Sequence, residues 1–280
     1  MSSTASKSTG FIIPARPESL INITEALRSA EPDSNIICEQ IKKDVALFSS
    51  VISTVNSAYY GLGKKVTSVE RAVSLLGVKR IFTIVQLAAL KNSLSTVGPL
   101  ERFWDTATEV ATICTILAKK FSNLNSDDVY TLGMLHDSGV PLLMQAKPEY
   151  KDFLRNLNSC NLIEIHQSEL DHYGISHYHL SAKLAEKWNI EKSTTEAIKH
   201  QPDYETILTE PADDKEHMRL KLCLLILARD ISDIYRHFWR IPDQPSSSIN
   251  IVPALNFLGV SDFDYLDIKE DILHSLTQQE

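Results

Sequence analysis

Apolar residues recur along this chain mostly at three- and four-residue spacings, with little strict alternation, which predicts amphipathic helices and an all-α protein. Behind Asp44, residues Leu47, Phe48, Val51, Ile52 and Val55 share one helical face. Upstream, a helix from Glu18 to about Ala30 should stop at Glu31-Pro32, because the residue before proline is pushed out of the helical region. Asp33-Ser34 then caps the next helix. Thr67 and Glu70 have capping-box spacing for a helix over 69–76, which Gly77 separates from another over 78–90. Past the Gly98-Pro99 break, Val110, Ile113, Cys114, Leu117 and Phe121 form an inward stripe, with Phe103 and Trp104 at its start. Leu162, Ile165, His166, Glu169 and Tyr173 hold one face up to Gly174, and Ser176 caps a helix whose face is His177, Leu180, Leu184 and Trp188. Ser193 and Glu196 suggest a further capping box, opening a short helix that carries His200 before Pro202, and a long helix spans 218–239. Two amphipathic segments close the chain.

With 280 residues, 43% of them hydrophobic, the chain can bury a large core. We read residues 1–10 as a disordered tail and 11–280 as one helical domain, divisible into N-terminal helices (11–98), a core (99–240) and C-terminal helices (241–280). A net charge of -8 argues against a surface built wholly for nucleic acid. Cys38, Cys114, Cys160 and Cys223 form no Cys-x-x-Cys pair, which points away from a zinc knuckle or redox motif. The N-terminus lacks the apolar core of a secretory leader, and no apolar run approaches the roughly 20 residues of a membrane span. A reducing, bacterial-type cytoplasm is the expected setting, with no membrane partner.

Chemistry concentrates first at His136-Asp137, an imidazole and a carboxylate that break an apolar stretch and could share a divalent ion if other segments supplied ligands. The alternative is a helix-end histidine beside a capping or solvated aspartate. Glu169 is a carboxylate on an apolar stripe and requires a donor, a cation or a proton across the core. His177 opens its helix facing inward, where the positive end of the helix dipole favours a neutral, ligand-competent ring. A plain core histidine bonded to Glu169 is the competing reading. Asn56, Ser57, Tyr59 and Tyr60 form either a helix exit or a binding turn. Lys64, Lys65, Arg71, Lys79 and Arg80 make a basic window with a helix-turn-helix outline, but its second helix is apolar nearly all round, which disfavours DNA readout.

Several stretches together resemble the HDOD domain, an all-helical relative of the HD-type metal-dependent phosphohydrolases found mainly in bacterial signalling proteins. They are Val55-Asn56-Ser57-Ala58-Tyr59-Tyr60-Gly61, Val66 to Val69, Ala72 to Gly77, Leu132 to Asp137, Glu169, Tyr173-Gly174, His177, Trp188 and Ala197 to His200, in that order. The resemblance implies a multi-helix HD-like bundle. It also implies a comparison with active HD enzymes, which hold one or two divalent metals through an early His, the His-Asp pair and a later Asp. Here Thr106 stands where the early His would be, and Arg229 where the late Asp would be, with Asp230 one residue on; a register slip of one would exchange the last two. His136, Asp137, His177 and His200 are then the residual metal candidates, with Glu169, Thr106 and Asp230 as a supporting polar network.

The reading favoured by these residues is a non-catalytic signal-transduction or regulatory module acting through protein partners, with no cofactor expected, though a weakly held divalent metal remains open. The alternatives are a metal-dependent phosphohydrolase or phosphodiesterase with substituted ligands, and nucleic-acid or nucleotide binding through the 64–80 window. No receiver or sensor region is evident in the chain, so a stimulus is expected from a separate protein or a small ligand.

Overall fold

A computed structural model describes the chain except for residues 1–10, 29–32, 58–59, 61–62, 95–99, 158, 212–214, 241–247 and 279–280, and the side chains of 237–240. The tail assigned to 1–10, the stop at Glu31-Pro32, the Gly98-Pro99 break and Tyr59 therefore lie outside the described residues. Every regular element among the described residues is a helix.

The N-terminal group comprises α1 (Glu18–Leu27), α2 (Ser34–Lys43), α3 (Val45–Val55), α4 (Val69–Leu76) and α5 (Val78–Leu94). Capping sets these boundaries. Asp33 accepts from the Asn35 amide at 2.8 Å and Asp44 from the Leu47 amide at 2.9 Å, each satisfying a donor that the first helical turn leaves open. At α4 the cap is Ser68, one residue beyond the expected Thr67, and its hydroxyl accepts from the Arg71 amide at 3.2 Å. Ile81, Ile84, Val85 and Leu90 on α5 are buried, so the putting of this helix into a DNA groove would unpack the core.

The central group is α6 (Glu101–Phe121), α7 (Ser126–Leu135), α8 (Gly139–Ala146), α9 (Tyr150–Arg155), α10 (Leu162–Tyr173), α11 (His177–Lys187), α12 (Lys192–Lys199), α13 (Tyr204–Thr209) and α14 (Glu216–Arg240). Helix α6 lies between α7 and α14, and α11 packs on α8 and α12. Two glycines make the close approaches possible. A Cβ on Gly133 would stand 2.3 Å from the Ala111 Cα, and one on Gly139 would stand 2.1 Å from the His177 carbonyl oxygen. The α12 cap is Glu191, which accepts from the Ser193 amide, and not the expected Ser193. Glu191 is favoured because the buried Lys221 ammonium of α14 binds it together with the Ser193 and Thr194 hydroxyls, fixing the carboxylate at the helix entrance.

The C-terminal α15 (Val252–Leu258) and α16 (Asp262–Thr277) lie against α14. The stretch before α1 is tied to the end of α11: the Lys187 ammonium donates to the Ile13 carbonyl at 2.6 Å and the Trp188 indole to the Pro14 carbonyl at 3.1 Å. Gln86 of α5 donates to the Trp188 carbonyl at 2.8 Å, so three distant segments meet at this tryptophan. No helix among the described residues is long and apolar enough to cross a membrane.

Candidate functional site

Helix α7 ends at Leu135, so His136 and Asp137 occupy the turn into α8 and do not interrupt a helix. The His136 Nδ1 donates to the Gly133 carbonyl at 2.6 Å, since a carbonyl only accepts, and Nε2 is turned to Asp137 Oδ2 at 3.3 Å. The Arg229 Nη1 donates to Asp137 Oδ1 at 2.8 Å and to Gln201 Oε1 at 2.7 Å. Gln201, fully buried, donates in turn to the His136 carbonyl at 2.9 Å and the Ile198 carbonyl at 3.0 Å. Burial pushes the Asp137 carboxyl up, but the Arg229 guanidinium and the neighbouring histidines carry it well below the usual carboxylate range.

Glu169 of α10 is fully buried and has the partners its position required. It accepts from the Tyr150 hydroxyl, from the His177 amide at 2.9 Å and from His177 Nδ1 at 2.7 Å. The other ring nitrogen of His177 is 3.5 Å from Asp137 Oδ1, an ion-pair contact too long for a hydrogen bond. Here the expectation of a neutral ring fails. Burial and the helix end disfavour the imidazolium, yet the Glu169 and Asp137 carboxylates on either side outweigh them and lift the His177 pKa to about 9.

The turn before α8, helices α10, α11 and α14, and the segment after α12 therefore bring together His136, Asp137, Glu169, His177, Arg229 and Gln201. Three other candidates lie elsewhere. His200 faces Asp203, its Nδ1 3.9 Å from the carboxylate, with its side chain 31% exposed. Asp230 accepts from the Tyr265 hydroxyl at 2.8 Å and pairs with Lys269 at 3.7 Å, because one residue along α14 turns a side chain about 100° away from Arg229. Thr106, partly buried on α6, makes no hydrogen bond to this group among the described residues. Nearby, Glu109 of α6 binds the Ser232 hydroxyl at 2.5 Å and Arg236 at 3.4 Å.

The residues present do not fit the divalent ion implied by the HD resemblance. The Arg229 guanidinium already neutralises Asp137, the carboxylate that would have to face the ion. Among the described residues no three His, Cys, Asp or Glu side chains gather with metal-ligand spacing.

Sequence reasoning missed Gln201 and the pair His166 and His179, whose Nδ1 atoms share the buried Ser176 hydroxyl at 2.9 and 3.0 Å. Their places depend on how α10, α11 and the segment after α12 pack together, which no local sequence pattern announces. The suggested binding turn has a structural centre: the Asn56 amide donates to the Ile52 and Val66 carbonyls and accepts from the Val66 amide, bonds of 2.7–2.8 Å. Ser57 and Tyr60 instead line a groove beside α3.

Comparisons with known proteins agree with this architecture. The structure is similar to a proposed phosphohydrolase of Shewanella amazonensis SB2B, with a TM-score of 0.70 at 20% identity over 96% of this chain and 92% of that one. It is also similar to an HDOD domain protein of unknown function from Geobacter sulfurreducens, with a TM-score of 0.66 at 21% identity over 96% and 91%. At such identities the likeness is one of fold. In sequence, an uncharacterised protein of Treponema pallidum (strain Nichols) is 25% identical over 189 residues, 67% of this chain but 37% of that protein, so the chain spans little more than a third of its relative's length. The profile of the HDOD domain matches residues 13–204, which include α1 to α12 and all of the polar cluster except Arg229, and the chain belongs to the HDOD domain family.

Proposed function

We propose that this HDOD protein is a non-catalytic regulatory module that works through contacts with other proteins and needs no resident metal. One observation carries the reading: Arg229 supplies from within the chain the positive charge that a metal would otherwise bring to Asp137. A guanidinium can neutralise a carboxylate and fix its orientation. It has no exchangeable coordination position and delivers no metal-activated water for attack on phosphorus. The Glu169–His177–Asp137–Arg229 chain of charges then serves as a rigid polar core that sets the register of α8, α10, α11 and α14.

Its test is direct. Protein purified without chelator is analysed for iron, manganese and zinc, and assayed on a generic phosphodiester. Sub-stoichiometric metal and no turnover above a His136→Ala control are expected. Stoichiometric metal together with His136-dependent turnover would overturn the reading and restore the phosphohydrolase alternative.

A further inference from the structure

A groove of about 960 Å³, near the upper end of the size range of small-molecule sites, is lined by the end of α1, the first half of α5 and the starts of α7 and α12. The polar cluster lies past the other ends of α7 and α12, about 15 Å away along a ten-residue helix, so the two sites are distinct. Leu27, Leu76, Phe82 and Ile190 give the groove an apolar side, each half-buried and packed against the core. Internal pairing accounts for most of its charge. The Arg80 Nε donates to Asp127 Oδ1 at 3.0 Å, Glu191 is bound by Lys221, and Lys79 is exposed to solvent. Asp128, in the first turn of α7, is different: it is half-buried and makes no hydrogen bond or close ion pair among the described residues. Burial raises its pKa and the Glu191 and Asp127 carboxylates add to this, while Lys221, already held by Glu191, Ser193 and Thr194, only partly opposes them. A second polar group faces the same space. Gln86 is only 9% exposed and spends its amide on the Trp188 carbonyl, which leaves its Oε1 without a donor among the described residues.

We propose that this groove binds an amphipathic organic monocation, an amine or amidine on an apolar body, with Asp128 as its counter-charge and Gln86 Oε1 as a second acceptor. A partly desolvated carboxylate without a donor is penalised, and a charged N–H group supplies both the donor and the opposite charge. The apolar side chains then cover the rest of the ligand. A bare divalent cation is a poorer match, because it takes six or more oxygen ligands and the groove offers one unpaired carboxylate and one amide oxygen. An anion is disfavoured as well. Lys79 and Arg80 of the basic window line this groove, but Asp127, Asp128 and Glu191 line it with them, three carboxylates against two cations. The inference adds a small-molecule input to the regulatory reading but stands on the groove alone, and the metal and turnover assays test that reading separately.

The probes are 2-naphthylmethylamine, a cation at neutral pH, and its uncharged analogue 2-naphthalenemethanol, titrated into the folded full chain by isothermal titration calorimetry. Saturable one-to-one binding of the amine is expected, with the alcohol about tenfold weaker, a difference of roughly 1.4 kcal/mol. That comparison needs no variant, so it tests the charge even if a substitution fails to fold. Asp128→Asn, close to isosteric, should weaken the amine by the same factor of about ten and leave the alcohol unaffected. Lys79→Trp, which fills the groove from an exposed position, should abolish binding of both probes, with the melting temperature showing that the protein is folded. Absence of saturable amine binding, equal affinities for amine and alcohol, an equal response of both to Asp128→Asn, or retention of binding in the folded Lys79→Trp protein would each overturn the proposal.

Discussion

Replacing Arg229 by Met removes the guanidinium but keeps most of the apolar stem, and its cost follows from what is left behind. Asp137 loses the 2.8 Å donor, and Gln201 Oε1 loses its 2.7 Å donor. At a charge separation near 4 Å and an effective dielectric near 20, the lost attraction is about 4 kcal/mol. Two effects reduce it: the Asp137 side chain is 21% exposed and regains some hydration, and the His177 imidazolium remains 3.5 Å away. A net loss of about 3 kcal/mol is expected, at the lower end of what breaking a buried pair costs. For a chain of this size that is a fall of roughly 6–10 °C in Tm. Guanidinium chloride unfolding, with an unchanged m-value, measures it. Asp137→Asn in the same background should recover part of the loss, since it removes the stranded charge, giving a coupling energy above about 1 kcal/mol. If Arg229→Met lies within about 0.5 kcal/mol of the parent, or the two substitutions are additive, Arg229 does not neutralise Asp137 and the account of the site fails.

Other consequences can be measured independently. His177 has a folded pKa raised to about 9 from 6.5, so its contribution, about 3 kcal/mol, is complete below pH 6.5 and is lost as pH rises through 9. Glu169→Gln should flatten that limb of the stability profile between pH 6.5 and 9.5, and a limb of the same slope in the variant would contradict the assignment. Glu191 is pushed down to about 2, with burial opposing and Lys221 and Ser193 prevailing, so its contribution is present above pH 4.5 and fades as pH falls towards 2. Because its side chain is about half exposed, screening reduces that contribution to roughly 1 kcal/mol, which Glu191→Gln should remove from the acid limb alone. Gly139→Ala must displace the His177 carbonyl by about 1 Å and should cost about 3 kcal/mol by thermal melting. Asn56→Ala forfeits two hydrogen bonds to Val66 and one to the Ile52 carbonyl of α3, and a loss of about 2–3 kcal/mol is expected, with a loss under 0.5 kcal/mol counting against the clasp.

The helices were legible because their signals are local. Asp33, Asp44 and Ser176 cap where the pattern placed them, and the apolar stripes of α3, α6 and α11 are the buried faces. Boundaries slipped by one residue where the pattern offered two acceptors in a row, as at Thr67-Ser68, and by two where a distant residue decided the matter, as Lys221 does for Glu191. The site was half legible. Family order pointed to His136, Asp137, Glu169 and His177, and their grouping is found, but the protonation of His177 depends on two carboxylates brought from α10 and from the turn before α8. The choice between Arg229 and Asp230 is one of helix phase, which only the packing of α14 against the turn and α16 decides. His200 was assigned from its order in the chain, and its place beside Asp203 comes from the local turn that ends α12.

With His177 carrying its proton near neutrality, two cations and two anions in the Glu169–His177–Asp137–Arg229 row cancel within the row itself. The interior consequently exerts little net field on the apolar helices packed around it, and the row asks no counterion of the solvent. Drift at these four positions should therefore be correlated: a change that deletes one charge strands its neighbour, so descendants that lose a member of the row should lose an opposite one too.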